Sequence, residues 1–349
     1  MTQGNLIIFL NAKQLNRSSS TVNRQLLEDF LRVLFFGMLG TLTRLPLAAV
    51  LAADVELCGL VLPAEIVPPF QLVGNGRSPS PITPIRHEPP MLNLLPTPQV
   101  ASPLALAAAN DVPAFAARRL DAPETAAALA ALKPDVICVS CFPHRLPPAV
   151  LSLPPQGCLN VHPSLLPRFR GPAPLFWALR VGVAETGVTI HFMDENFDTG
   201  DVALQRPYPL PVGATHAELE TSLAQLGGDL LVEALQKLAA GTLPRQPQPP
   251  GFHSDPWPGD ADFALDTSWS AQHAFNFMQG TVNWERPYFV QVQGETVWLD
   301  TAVSYQPEAV QNQAVVRQGQ TVHIQFSPGI LQATLLACCL LLVTCVLFL

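Results

Sequence analysis

Short, continuous apolar runs alternate with stretches of helical period over most of the first 240 residues. Val33-Leu-Phe-Phe36 and Leu57 to Leu62 read as buried strands, and Pro46-Leu-Ala-Ala-Val-Leu-Ala-Ala53 between them reads as a helix entered at a proline. A strand–helix–strand unit of this kind builds a parallel sheet. The same alternation predicts a helix at Pro103–Asn110, a short strand at Ala114–Phe115, a helix at Ala122–Leu132 and a strand at Val136–Cys141. Gly187-Val-Thr-Ile-His-Phe-Met193 alternates as a further strand. Thr215–Ala240 is one long amphipathic helix, with Leu219, Leu223, Leu226, Leu230, Leu231, Ala234 and Leu235 on one stripe and Gly241 ending it.

The pattern breaks in four places. Residues 1–31 form a polar extension with one short helical stretch, Val22 to Arg32, and proline, serine and asparagine dominate between Pro63 and Pro103, which predicts a long surface loop. Thr242 to Gly251 is a proline-rich, extended spacer, so a catalytic-sized α/β unit is expected over 32–241 and a linker over 242–257. Beyond it, Trp269–Met278 reads as a helix, and Tyr288-Phe-Val-Gln-Val, Thr296-Val-Trp-Leu and Val322-His-Ile-Gln-Phe alternate like strands of a small β-barrel over 258–329. From Ile330 to Leu349 every residue except Gln332, Thr334 and Thr344 is apolar, a length of about twenty residues that suffices for a transmembrane helix and makes the tail a candidate membrane anchor.

With 349 residues, 48% hydrophobic and 13% charged, the chain has room for two units with sizeable cores. Lys13, Lys133 and Lys237 are the only lysines and the net charge is -8, which disfavours tight, non-specific phosphate binding. The apolar run Leu6 to Leu10 is too short for a secretory signal, so a cytoplasmic location is expected, with membrane attachment if the tail is an anchor. Cys138 and Cys141 form a C-x-x-C inside a strand-like run and read as small core residues.

Candidate chemistry concentrates between Asn160 and Asp198. Asn160 and His162 stand at i and i+2, so on a strand both side chains project from one face, and Pro163 stops the ladder beyond them. An imidazole near neutral pH shuttles protons, and a carboxamide donates to a developing oxyanion; a satisfied core histidine beside a turn-forming asparagine is the other reading of so short a pattern. Asp194-Glu-Asn-Phe-Asp-Thr-Gly-Asp201 lacks the spacing of a calcium loop, and its Asp198 is placed to face His162 and raise its pKa. Gly37-Met-Leu-Gly40 is half of a dinucleotide-binding loop, without the third glycine or the acid at the end of the next strand. No G-x-S-x-G and no H-E-x-x-H occurs.

Four blocks in order, Asn160-Val-His162-Pro-Ser-Leu-Leu-Pro167, Arg170-Gly171-Pro-Ala-Pro174, Thr186-Gly-Val-Thr-Ile-His191 and Asp198-Thr-Gly-Asp201, resemble the folate-dependent formyltransferase family, and within it the members acting on methionyl-tRNA. The similarity extends from Arg32 to about residue 329. It implies a Rossmann-like, mainly parallel sheet followed by a small OB-like barrel, 10-formyltetrahydrofolate as co-substrate, and no metal. Carried over residue by residue, it implies Asn160, His162 and Asp198 as the catalytic trio, with Asn160 and protonated His162 stabilising the oxyanion and Asp198 holding the imidazole. The pterin is implied near Phe142, Pro143, Leu146 and Asp194. Ser164, Leu165, Leu166 and Pro167 would form a turn shaping the pocket beside Arg170 and Gly171, with Arg170 either meeting the acceptor or anchoring the loop.

The resemblance makes charged initiator methionyl-tRNA the expected acceptor and leaves oligomeric state open. Departures concern that acceptor. The long loop offers only Arg77, Arg86 and His87, Gln279 stands where a basic residue is expected, and residues 251–329 hold Arg286 and Arg317 against eight acids, a local balance of -6. An amino sugar nucleotide or another small amine is the alternative. A third reading, an inactive membrane-attached binding protein of the same fold, is disfavoured because all three catalytic positions are present.

Overall fold

A computed structural model of the protein describes residues 30–67, 80–86 and 101–336. The helical stretch expected from Val22 lies outside these residues up to position 29, and Arg32 already opens a strand. β1 (Arg32–Gly37), α1 (Thr41–Ala52) and β2 (Glu56–Pro63) form the first strand–helix–strand unit. β3 (Ile82–Pro84), α2 (Pro103–Ala109), β4 (Ala114–Ala117), α3 (Pro123–Ala130), β5 (Val136–Ser140), α4 (Pro148–Leu151) and β6 (Cys158–His162) follow. α5 (Pro174–Val181), β7 (Glu185–Phe192), β8 (Val202–Pro209) and α6 (His216–Ala239) complete the first layer system.

The eight strands lie in the order β3-β4-β2-β1-β5-β6-β7-β8. From β4 to β6 all neighbours are parallel, while β3, β7 and β8 each run antiparallel to the strand they join. The central strands are apolar throughout because helices cover both faces, as the continuous runs require. Part of the expected surface loop is therefore structured: β3 pairs with β4, and the rest of that loop between 68 and 79 and between 87 and 100 lies outside the described residues. β8 escaped the sequence pattern because Pro207 and Pro209 argue against a strand; it is the sheet's edge, where a missing N–H is tolerated.

α1 begins five residues before the proline that was expected to open it, and Pro46 lies inside it. The missing Pro46 N–H leaves the Leu42 carbonyl without its helical donor, and the Ser140 hydroxyl at the end of β5 donates to that carbonyl instead. Thr43 Oγ1 returns a bond to the Ser140 carbonyl at 2.9 Å, so helix and central strand are locked together.

α6 starts with a capping box between Thr215 and Glu218 and buries Leu219, Leu223, Leu230, Leu231 and Leu235. Gly227 lets it approach β6: a Cβ there would lie 2.7 Å from Val161 Cγ1. Val161 thus fills the helix side of β6, and Asn160 and His162 take the opposite side.

The chain then builds a second sheet from β9 (Ala264–Leu265), α7 (Ala271–Thr281), β10 (Tyr288–Val292), β11 (Glu295–Gln306), β12 (Val315–Gln318), β13 (Thr321–Gln325) and β14 (Ile330–Leu335). Its order is β12-β13-β14-β11-β10-β9, mixed because β9 and β10 are parallel. Among the described residues no pairing joins β9 to β12, so a six-stranded mixed sheet is shown and the closure of the expected OB-like barrel is not. Phe176 of α5 meets Phe263, Phe277 and Trp284 at ring separations of 5.2–5.4 Å, which welds the two sheets' helices into one core.

The apolar tail is corrected at its start. Ile330–Leu335 is not helical but an inner strand of the second sheet, with Leu331 and Ala333 fully buried. Its two polar residues fit that role, since Gln332 accepts from Ser304 at 2.9 Å and Thr334 Oγ1 accepts from the Thr301 N–H at 3.1 Å. A short apolar run does not by itself distinguish a buried strand from a helix. No helix among the described residues is long and apolar enough to cross a membrane, and residues 337–349 lie outside them.

Candidate active site

The parallel part of the sheet ends at β6, and the site lies at that strand's carboxyl end. Antiparallel pairing sets Asn160 opposite His191 and His162 opposite Thr189. The β7–β8 loop carries Asp198 back over the same face: its Oδ1 lies 3.3 Å from Asn160 Nδ2, 3.4 Å from His191 Nε2 and 3.6 Å from His162 Nδ1. Its Oδ2 accepts the Gly171 N–H at 2.8 Å. Residues forty positions apart in sequence thus share one carboxylate.

The network fixes proton positions. His191 donates from Nδ1 to the Phe192 carbonyl at 2.9 Å, so its Nε2 accepts from Asn160 Nδ2 at 3.1 Å. Both Asn160 N–H groups are thereby used, and the reverse amide orientation would set an oxygen against the Asp198 carboxylate. His162 donates from Nε2 to the Phe169 carbonyl at 2.8 Å, leaving Nδ1 toward Asp198.

Burial lowers the His162 pKa, and this outweighs the upward pull of Asp198 and the Phe169 carbonyl; His191 adds to the lowering. Asp198 faces the ring and pulls its pKa up, as expected, but the burial of an imidazole only 4% exposed outweighs that pull, so the net shift is downward, against the expected rise. Burial pushes the Asp198 carboxyl up, but the charge that His162 and His191 present when protonated, together with the Gly171 N–H, overcomes it and holds the group well below the usual carboxylate range.

Strain concentrates here. Phe169 and Asp198 have φ of 56° and 55°, the left-handed region that non-glycine residues avoid, and Gly171 has φ of 107°. A Cβ on Gly171 would lie 2.3 Å from the Asp255 carbonyl.

The other sequence candidates fall into two groups. Ser164 is buried and spends its hydroxyl on the Arg168 carbonyl at 2.8 Å, which closes the turn through Leu165, Leu166 and the cis Leu166–Pro167 bond. Thr189 holds that turn, donating to the Ser164 carbonyl at 2.6 Å and accepting the Leu166 N–H at 3.1 Å. Arg170 is 7% exposed and bonds Gln248 and the Phe252 carbonyl, which makes it an anchor of the loop. Asp194 points away from the trio, accepting from the Asn196 N–H and Thr199 within its own loop. Leu146 is core, packed with Phe36 and Val139, whereas Phe142 touches Phe36 edge-on at 5.2 Å and Pro143 is exposed. The two loops meet where Arg145 lies 5.3 Å over the Phe197 ring.

Sequence reasoning gave no role to His191, Thr189, Phe169 or Gln248. His191 was legible as a strand residue, but only the β6–β7 register puts it opposite Asn160. Of the C-x-x-C pair only Cys138 is a core residue, its thiol pushed up strongly by burial; Cys141 lies past the end of β5 and is exposed, against the expectation that both are core.

Residues 86–235, which contain Asn160, His162, His191 and Asp198, match the family described as Formyl transferase. A methionyl-tRNA formyltransferase of Carboxydothermus hydrogenoformans is 51% identical over 118 residues, 34% of this chain and 38% of that one. A methionyl-tRNA formyltransferase of a Synechococcus species is 46% identical over 173 residues, 49% of this chain and 54% of that one. The chain thus spans about half the length of the curated relatives it matches. In the formyl transferase fold, an N-formyltransferase from Helicobacter canadensis, solved with folinic acid and dTDP-3-aminofucose, superposes with a TM-score of 0.58 at 14% identity, covering 88% of this chain and 99% of that one.

Proposed function

We propose that the protein transfers a formyl group from 10-formyltetrahydrofolate to an amine, with charged initiator methionyl-tRNA as the leading acceptor. The observation that carries this reading is the convergence of Asn160, His162 and Asp198 at the end of β6, inside the matched family region. The names of the relatives favour methionyl-tRNA as acceptor. The expected division is kept in this proposal, with a catalytic unit over 32–241 and a smaller unit after the linker that runs on through Leu335.

The acceptor amine attacks the formyl carbon, forming a C–N bond and placing negative charge on the formyl oxygen. Asn160 Nδ2 exchanges its long 3.3 Å bond to Asp198 for that oxygen. Neutral His162 takes the amine proton at Nδ1 while Nε2 keeps its bond to Phe169, and the Asp198 carboxylate stabilises the resulting imidazolium. The proton then passes to N10 of the folate as the bond from N10 to the formyl carbon breaks. A hollow of about 250 Å³ is lined by Arg118, Arg119, Asp121, His144 and Arg145; Arg119 is paired with Asp121, and the remaining basic groups support a donor that carries carboxylates.

The acidic second sheet favours a small amine instead, because a phosphate backbone needs arginine and lysine to release its counterions. Offering both acceptors to the purified protein decides between them. Formylation of an amino sugar nucleotide with none of charged initiator tRNA would sink the tRNA reading.

A further inference from the structure

The proline-rich segment after α6 does not run free between the two sheets. Gln246 exchanges both backbone bonds with Val202 at 2.8 and 2.9 Å, and Arg245 lies 3.6 Å over the Phe192 ring. Further on, the Asp255 N–H donates to the Arg170 carbonyl at 2.8 Å and Trp177 Nε1 donates to the Pro256 carbonyl at 2.8 Å. Between these anchors the segment crosses the site as a strap, and Gln248 is the residue it turns inward.

The Gln248 carboxamide is saturated. Its Oε1 accepts from Arg170 Nε at 3.1 Å and Nη2 at 2.7 Å, and its Nε2 donates to the carbonyls of Asp198 at 2.9 Å and Gly200 at 2.7 Å. Those two carbonyls flank the turn in which Asp198 adopts φ of 55°. The left-handed region is uncommon for a non-glycine residue, and a fixed turn there is held by its surroundings. Gly200 adds to the constraint, since a Cβ there would meet the Phe192 carbonyl. We propose that Gln248 is a positioning residue: by spanning the Asp198 and Gly200 carbonyls it fixes the left-handed turn that aims the Asp198 carboxylate at His162 and Asn160. The inference rests on the formyl-transfer reading for its kinetic consequence and on the hydrogen-bond geometry alone for its structural one.

Gln248→Glu separates the clamp from the tether. The carboxylate still accepts the Arg170 guanidinium, so the strap stays docked, but it has no N–H and turns an oxygen toward the two carbonyls. The expected result is a kcat for formyl transfer lowered on the order of 10²-fold, the penalty of a misplaced catalytic group, with KM for the folate unchanged and the unfolding midpoint lowered less than in Gln248→Met. Ring-nitrogen NMR shifts of His162 and His191, which lie within 3.6 and 3.4 Å of Asp198, should move in the variant whether or not transfer is detected. Gln248→Met, which loses the tether as well, should lower both kcat and the unfolding midpoint. Unchanged ring shifts and kcat in Gln248→Glu, or a fall in its unfolding midpoint as large as that of Gln248→Met, would overturn the inference. If the wild type transfers no formyl group while the ring shifts still move, the positioning role stands and the formyl-transfer reading falls.

Discussion

His162 Nδ1 lies 3.6 Å from Asp198 Oδ1, too far for a hydrogen bond and close enough for the carboxylate to stabilise a proton that arrives there. Burial lowers the His162 pKa, so in the proposed reaction the ring starts neutral and acquires its proton during turnover.

That assignment predicts the effect of removing either partner. His162→Ala and Asp198→Asn should each lower kcat for formyl transfer by about 10²- to 10⁴-fold, the range for a positioned acid–base group, while circular dichroism shows the fold retained. Equal rates for the wild type and both variants would contradict the assignment.

Stability should fall on acidification, and both groups push the same way. The folded-state pKa of His162 is lowered from 6.5, so the unfolded chain binds the proton more readily and stability is lost as pH falls below about 6.5. Asp198 is lowered from 3.8, so its contribution is present above that value and is lost as pH falls further. His162→Gln should flatten the upper part of this dependence in chemical denaturation series between pH 7 and pH 5, and Asp198→Asn should flatten the part below about pH 4.

Asn160 donates to both His191 and Asp198, so Asn160→Ala removes an oxyanion donor and frees two acceptors at once. A loss in kcat of about 10²- to 10³-fold is expected, with a smaller change in KM. A loss confined to KM would assign Asn160 to binding alone.

Much of this was legible in the chain, and what was not has a physical cause. Continuous apolar runs such as Val33–Phe36 and the stripe along Thr215–Ala240 mark β1 and α6 because burial of whole faces leaves a period. Asn160 and His162 sharing a face follows from strand alternation. The partnership of Asn160 with His191 depends on interstrand register, and that of Asp198 with Gln248 on a tether fifty residues long, and neither leaves a local pattern. β14 was hidden for the opposite reason: its pattern is too apolar, and only its cross-strand partners Ser304 and Thr301 show that Gln332 and Thr334 belong in a sheet.

The strand assignment of Ile330–Leu335 makes Leu331 a core residue. Leu331→Ala should cost about 2–5 kcal/mol, read from chemical denaturation of the full chain. An unaltered unfolding curve would place this stretch outside the packed sheet.

Gly171 holds φ of 107°, donates to Asp198, and has no room for a Cβ beside the Asp255 carbonyl. Gly171→Ala should therefore destabilise by about 1–3 kcal/mol and lower kcat, with both effects visible in the same preparation by thermal unfolding and steady-state assay. A variant with wild-type melting and rate would show that the strap does not press on this loop.

The most direct measurement supplies the purified full chain with 10-formyltetrahydrofolate labelled in the formyl carbon, and with charged initiator tRNA and an amino sugar nucleotide in separate reactions. The account predicts label on the methionyl amine, tetrahydrofolate released in equal amount, and both lost in Asp198→Asn. Label reaching no amine above the Asp198→Asn background would contradict it.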